Sequence, residues 1–253
     1  SSGIGAAIAR EYARRGVPLI LTARRLDKLQ QLAEELRPTV AVEVIPADLS
    51  DPAAPELLVA EIERRGLAVR ILVNNAGYGV PGRYLTHDWR VHAQVLQVMI
   101  GAVSELTWRL LPAIRASGHG RILNVASFAA LVPGADGQTL YAAVKSYLVR
   151  FSESLSLENA DRGVHVTALC PGFTWSEFHD VTGTREMMSK LPKWAWLETD
   201  AVALAGVEGA EKKQVIVVPG RVYRLVHFIA RHLPQRLVLG AMGRNSGRIR
   251  RID

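Results

Sequence analysis

The chain has 253 residues, 49% of them hydrophobic and 22% charged, the balance of a globular protein large enough to bury a substantial core. Its single cysteine, Cys170, excludes an internal disulfide, and no apolar run reaches the roughly 18 residues of a membrane span. The net charge of +7 is concentrated: residues 219–253 hold eight arginines and one acid, which leaves the rest neutral overall. The body therefore has no electrostatic footprint for nucleic acid.

Ser1-Ser2-Gly3-Ile4-Gly5 opens the chain and leads into a helix. Ile4, Ile8 and Tyr12 form its buried stripe and Gly16 closes it. Glycines at such a turn let a phosphate approach the N–H groups of a helix N-terminus, although any tight strand-to-helix turn uses glycine too. The strand that would precede this turn is absent from the sequence.

From there the pattern alternates. Short apolar strands are expected at residues 18–22, 40–45, 69–73, 121–126, 164–169 and 214–218, and helices at 26–36, 56–65, 88–116 and 140–160. Strands of four to six residues separated by helices predict an α/β fold with a doubly wound, mainly parallel sheet. Residues 1–220 read as one domain, and 221–253 as a basic extension.

Three of these strands end in residues suited to a nucleotide. Arg24 and Arg25 follow the first; arginine there suits the 2′-phosphate of NADP, where an acid would suit the 2′-hydroxyl of NAD. A solvated arginine pair is an equally simple reading. Asp48-Leu49 follows the second, where Asp48 also reads as a helix N-cap. Asn74-Asn75-Ala76-Gly77 follows the third, where a plain turn is the alternative.

Ser127 lies just past the strand at 121–126, where open α/β sheets bind ligands. Tyr141 and Lys145 are four apart, hence on one helical face. An ammonium beside the phenol lowers its pKa toward working pH and makes it a general acid or base. Cys170, in the apolar run ending at Pro171-Gly172, reads as a buried hydrophobe.

Ser-Ser-Gly-Ile-Gly, Ala-Arg-Arg, Asp48-Leu49, Asn-Asn-Ala-Gly, Asn-Val-Ala-Ser, Tyr-x-x-x-Lys and Pro171-Gly172 stand in one order over Ser1 to about Gly220. Together they resemble the classical short-chain dehydrogenase/reductase family. The resemblance implies a Rossmann-type sheet of seven parallel strands, a nicotinamide cofactor, which Arg24 makes NADP(H), and a homodimer or homotetramer. It implies that Ser127 donates to the substrate oxygen, Tyr141 transfers the proton, and Lys145 lowers the tyrosine pKa and holds the nicotinamide ribose. Ser1, Ser2, Gly3, Ile4 and Gly5 would cradle phosphates, with Arg24 on the 2′-phosphate. Asp48 and Leu49 would flank the adenine, Asn75, Ala76 and Gly77 the adenosine, and Pro171 and Gly172 the nicotinamide. Two departures stand out. The family's first strand is missing, so the natural protein is expected to be longer at its N-terminus. Met99 replaces the asparagine that anchors a water in the family's proton relay, and methionine is a poor hydrogen-bonding group.

Residues 173–197 would form a substrate lid. Phe173, Trp175, Phe178, Met187, Met188, Trp194 and Trp196 make it rich in aromatic and thioether surface, which suits a bulky apolar ketone or alcohol or simply packs the lid. His179 has no metal-ligand partner at a sensible spacing. In the tail, Val222, Leu225, Val226, Ile229 and Leu233 make an apolar stripe with Arg224 and Arg231 off it. An anionic membrane surface, the protein's own body and another subunit are all open as its partner; the expected location is cytoplasmic, with or without membrane association. The activity expected is oxidoreduction, the alternative a dinucleotide-binding regulatory or scaffold protein with little turnover.

Overall fold

The computed structural model describes residues 2–80, 82–175, 192–234 and 236–240. Its elements alternate as the sequence pattern predicts. Helix α1 (Gly3–Arg14) is followed by β1 (Leu19–Leu21), α2 (Leu26–Leu36), β2 (Val42–Val44), α3 (Ala54–Arg64) and β3 (Ile71–Asn74). Helices α4 (Trp89–Leu96) and α5 (Ala102–Ala116) run into each other through a π-helical turn at Gln97–Gly101, so the long helical region expected over 88–116 is present, widened in its middle. Then come β4 (Gly120–Val125), α6 (Thr139–Asn159), β5 (Val164–Leu169), α7 (Thr199–Glu211), β6 (Ile216–Val217) and α8 (Arg221–His232). The strands are shorter than the apolar runs that predict them, because their ends lie outside the hydrogen-bonded ladder. Gly16 ends the first helical segment in a left-handed conformation (φ +74°) that glycine adopts without penalty.

All strand pairs are parallel, in the orders β1-β2 and β3-β4-β5-β6. Strand β4 is buried at all six positions and its successive side chains feed two different layers. Ile122 packs toward α3 and α5, with Leu58, Ile62, Leu106 and Leu110. Leu123 and Val125 point the other way, to Ile8 and Tyr12 of α1 and to Val202 and Val207 of α7. Helix α2 extends that second layer by packing Leu29, Leu32 and Ala33 on α1. The sheet is doubly wound as expected.

One feature separates it from a continuous sheet. Among the described residues no ladder joins β1 to β3, although Leu19 and Ile71 share one apolar cluster and Ile20 and Leu72 another. Leu19 donates to Ala41, and Arg121 donates to Arg70. By the alternation of a parallel ladder, the N–H groups of Ile20, Ile71 and Val73 then point into the split. The split lies where the family resemblance puts the first strand, so six strands are described where seven were expected. Side chains of Leu19, Leu21, Leu72, Val73, Leu58 and Leu106 line it, and it opens into the cleft at the C-terminal strand ends as one cavity of about 1260 Å³.

The unpaired edges yield a prediction. In this 253-residue chain the amides of Ile20, Ile71 and Val73 exchange with solvent deuterium faster than that of Leu123 in β4, by orders of magnitude. Equal protection in an NMR exchange experiment would show that something covers those edges.

Candidate active site

The site is assembled where β3, β4 and β5 end. Strand β4 delivers Asn124, Val125 and Ala126 in succession, and the chain then turns at Ser127, whose hydroxyl accepts from the Ala129 N–H (3.2 Å) and caps a short 3-10 turn. Tyr141 and Lys145 lie on one face of the first two turns of α6, as their spacing requires. The Tyr141 and Ser127 hydroxyls are hydrogen-bonded to each other. Lys145 is 5% exposed; its ammonium donates to the Val125 carbonyl (2.7 Å) and stands 5.7 Å from the Tyr141 ring centroid. Three residues separated by up to 18 positions thus meet at one strand end.

A buried polar chain fixes this meeting, and residue patterns alone do not announce it. Asn74, the last residue of β3, donates to Asn124 Oδ1 (2.8 Å) and Thr107 Oγ1 (3.3 Å). Asn124 donates in turn to Ser152 Oγ of α6 (2.8 Å). Each link satisfies polar atoms that would otherwise be buried unpaired, so the chain sets the registers of β3, β4 and α6 together.

The electrostatics differ from the sequence expectation. Burial is the largest influence on Tyr141 and pushes its pKa up, with the Ser127 hydrogen bond opposing. Burial pushes Lys145 down, to about 8. The ammonium engages a backbone carbonyl and the ring face, and desolvation of the phenolate dominates the tyrosine. Cys170, fully buried, has its thiol pushed up to about 12, which leaves it inert and bears out its reading as a small hydrophobe.

Every predicted nucleotide residue among those described lines the one cavity: Ser2, Gly3, Ile4, Gly5, Arg24, Asp48, Leu49, Asn75, Ala76, Gly77, Pro171 and Gly172, together with Ser127, Tyr141 and Lys145. Ser1 lies outside the described residues. Helix α1 starts at the cavity with no acid in its first turn and no side-chain cap, so its N–H groups are free for an anion. A Cβ on Gly5 would run into the Asn75 side-chain amide, so glycine lets α1 approach the end of β3 with that amide in its present place. Arg25 donates to Ser2 Oγ (3.2 Å). Asp48 accepts from the backbone and hydroxyl of Ser50 (3.0 and 2.8 Å), a turn that lowers its pKa with some help from Arg24. It is no helix cap; α3 begins only at Ala54.

Met99 is fully buried in the π-helical turn, against Val95, Val98 and Val144. A Cβ built on Gly77 would lie 3.2 Å from Met99 Cε and 3.6 Å from Lys145 Nζ. The methionine therefore stands beside Lys145, where the resemblance expects a polar group.

Of the predicted lid residues, Phe178, Met187 and Met188 lie outside the described residues, as does His179. Among the others only Phe173 lines the cavity. Trp175 stacks on Trp196 (centroids 4.1 Å apart), in keeping with the packing alternative for these aromatics, and Trp194 is exposed. The two ends of the segment are joined instead, Leu197 donating to the Phe173 carbonyl (2.8 Å) and Trp175 to that of Leu197 (3.0 Å). Tyr223 of α8, which the tail's apolar stripe did not single out, closes this neck. Its hydroxyl donates to the Ala195 carbonyl (2.6 Å) and accepts from the Phe173 N–H (3.0 Å). Its ring packs on Phe128 (5.0 Å) and fills the space where Gly172 would carry a Cβ.

The buried ammonium makes a stability prediction. The folded pKa of Lys145 lies below its ordinary 10.5, so at pH 7, where both folded and unfolded chains hold the proton, the folded state bears a penalty of roughly 3 kcal/mol. Stability rises as pH climbs from about 8 toward 10.5, where the unfolded chain binds more protons. Lys145→Met is expected to raise the urea midpoint at pH 7 and to flatten that rise; an unchanged pH dependence would contradict the buried charge.

Comparisons with known proteins agree with this geometry. The short chain dehydrogenase family matches residues 1–186. Sulfoacetaldehyde reductase of Chromohalobacter salexigens is 36% identical over 183 residues, 70% of this chain and 71% of that protein. Among solved structures, a short-chain dehydrogenase from Sphingobium yanoikuyae in complex with NADPH superposes with a TM-score of 0.79 at 30% identity, covering 95% of this chain and 91% of that one. A bulky-bulky ketone specific alcohol dehydrogenase from Comamonas testosteroni gives 0.75 at 25% identity, with 92% of each chain covered. The chain belongs to the short-chain dehydrogenase family, oxidoreductases that act on CH–OH or C=O groups with a nicotinamide dinucleotide.

Proposed function

We propose that this protein is an NADP(H)-dependent oxidoreductase that reduces a bulky apolar ketone, or oxidises the corresponding secondary alcohol. The observation that carries the reading is the hydrogen-bonded Ser127–Tyr141 pair at the strand end, over the buried Lys145. The cofactor supplies the hydride in reduction. Ser127 and Tyr141 direct their hydroxyls at the substrate oxygen, which polarises the carbonyl and holds its carbon for transfer. As the carbon gains the hydride, the oxygen takes the proton of Tyr141. The raised tyrosine pKa keeps that proton in place at neutral pH, which favours the direction of reduction. Lys145, held by the Val125 carbonyl, offers its charge to the phenolate left behind and to the ribose hydroxyls of the nicotinamide.

Phosphates are assigned to the N-terminus of α1 with Ser1, Ser2, Gly3, Ile4 and Gly5, and the 2′-phosphate to Arg24. Asp48 and Leu49 flank the adenine, Asn75, Ala76 and Gly77 the adenosine, and Pro171 and Gly172 the nicotinamide. The apolar substrate is supported by the walls beyond Tyr141, where Phe128, Val132, Phe173 and Val226 line the cavity, and by the Comamonas relative's specificity for bulky-bulky ketones. On this reading the enzyme works in the cytoplasm as a homodimer or homotetramer, with the exposed Trp108 of α5 and Leu157 of α6 as apolar surface for a neighbour to cover.

Met99 favours one second reading, a dinucleotide-binding regulatory or scaffold protein. A relay broken at that position would bind NADPH and turn over slowly or not at all.

Steady-state cofactor oxidation against a panel of steroid, aromatic and long-chain ketones separates the two. Turnover that falls at least about 100-fold in Tyr141→Phe supports the enzyme; saturable NADPH binding without turnover supports the second reading. For cofactor choice, NADPH is expected to bind more tightly than NADH, and Arg24→Ala to weaken NADPH by about tenfold or more while leaving NADH unchanged. Tighter NADH binding by the unaltered protein in a fluorescence titration would reverse the assignment of Arg24.

A further inference from the structure

The two sides of helix α8 do different things. On one side Tyr223 is buried at the lid neck, and Val226 and Ala230 line the mouth of the cavity. On the other side Leu225 (60% exposed), Phe228 (61%), Ile229 and Leu233 face outward, and Leu237 and Leu239 continue the apolar surface beyond Pro234. Scattered exposed leucines need no explanation, but this many on one short helix and its continuation do. The charges around them have one sign. Arg221, Arg224, Arg231 and Arg236 are exposed, and no acid occurs between Glu211 and Asp253. Among the described residues none of these four arginines has a carboxylate partner.

We propose that α8 is an interfacial helix that seats the protein on an anionic lipid surface, with the mouth of the cavity beside that surface. The chemistry discriminates among partners. A second copy packed on the same face by two-fold symmetry would set arginine against arginine, a repulsion that nothing in the segment relieves. Nucleic acid would pair with the arginines and leave the leucine and phenylalanine side chains in water. An anionic bilayer takes both: the apolar side chains enter the acyl boundary and the guanidinium groups stay at the phosphates. Helix α8 has 12 residues and no helix of the described chain is long and apolar enough to cross a membrane, so the helix lies along the surface. Tyr223 ties it to Phe173 and Ala195, which fixes the cavity mouth relative to whatever the outer face touches. The proposal goes beyond the redox reading and does not depend on it, because lipid binding is measured without turnover.

The test is sedimentation of the full chain with vesicles of phosphatidylcholine alone and of phosphatidylcholine mixed with phosphatidylglycerol. The protein is expected to pellet with the mixed vesicles and to stay in solution with phosphatidylcholine. Arg224→Gln and Arg231→Gln should each lower the partition coefficient about fivefold. The double variant Leu225→Glu, Phe228→Glu should remain in the supernatant with its thermal melting unchanged, since both side chains are exposed in the fold. The proposal is overturned by unaltered protein that stays in solution with mixed vesicles, by equal pelleting with both vesicle types, or by a double variant that pellets fully. It is overturned equally if the double variant loses half its mass in light scattering while its vesicle binding is retained, which would make this face a subunit interface.

Discussion

The bond from the Lys145 ammonium to the Val125 carbonyl, 2.7 Å long, is the contact on which the rest of the site depends. It ties the second turn of α6 to the end of the most buried strand, and so sets how far Tyr141 stands from Ser127. The ammonium is almost fully buried and its pKa is pushed down to about 8 by that burial, so the position is not favoured by electrostatics in the absence of a ligand. It is held by packing and by the polar chain Asn74–Asn124–Ser152, which fixes the same two elements about two turns further along α6. A buried, desolvated ammonium is supported by a satisfied polar network beneath it, and the sheet core supplies the stability that both draw on.

The same logic explains the altered position of Met99. The buried methionine packs among Val95, Val98 and Val144, and its thioether end reaches close to Gly77, beside Lys145. A thioether at this place offers the neighbourhood of the lysine only a weak hydrogen-bond acceptor. It leaves Ser127, Tyr141 and Lys145 in register.

Tyr223 joins the tail to the chemistry. Its hydroxyl bridges the two ends of the segment 173–195, and its ring occupies the space above Gly172 and beside Phe128, the neighbour of Ser127. A helix that composition would label an appended basic extension is therefore part of the wall of the cavity.

The sequence by itself determined the order of elements, the parallel doubly wound sheet, and the identity of the groups at the strand ends. These follow from local rules. Apolar runs of strand length separated by amphipathic helices admit few topologies, and a Tyr-x-x-x-Lys spacing puts both side chains on one helical face whatever surrounds them. Only the tertiary structure decided what those groups experience. Whether Lys145 lowers the tyrosine pKa or is itself lowered depends on burial and on the Val125 carbonyl 20 residues away. Whether Trp175 lines a pocket or stacks on Trp196 depends on a contact across 21 residues. Asp48 as turn former, Asn124 as the link between two strands and a helix, and Tyr223 as the clasp of the lid neck are likewise non-local, since each is defined by partners that no periodicity places beside it.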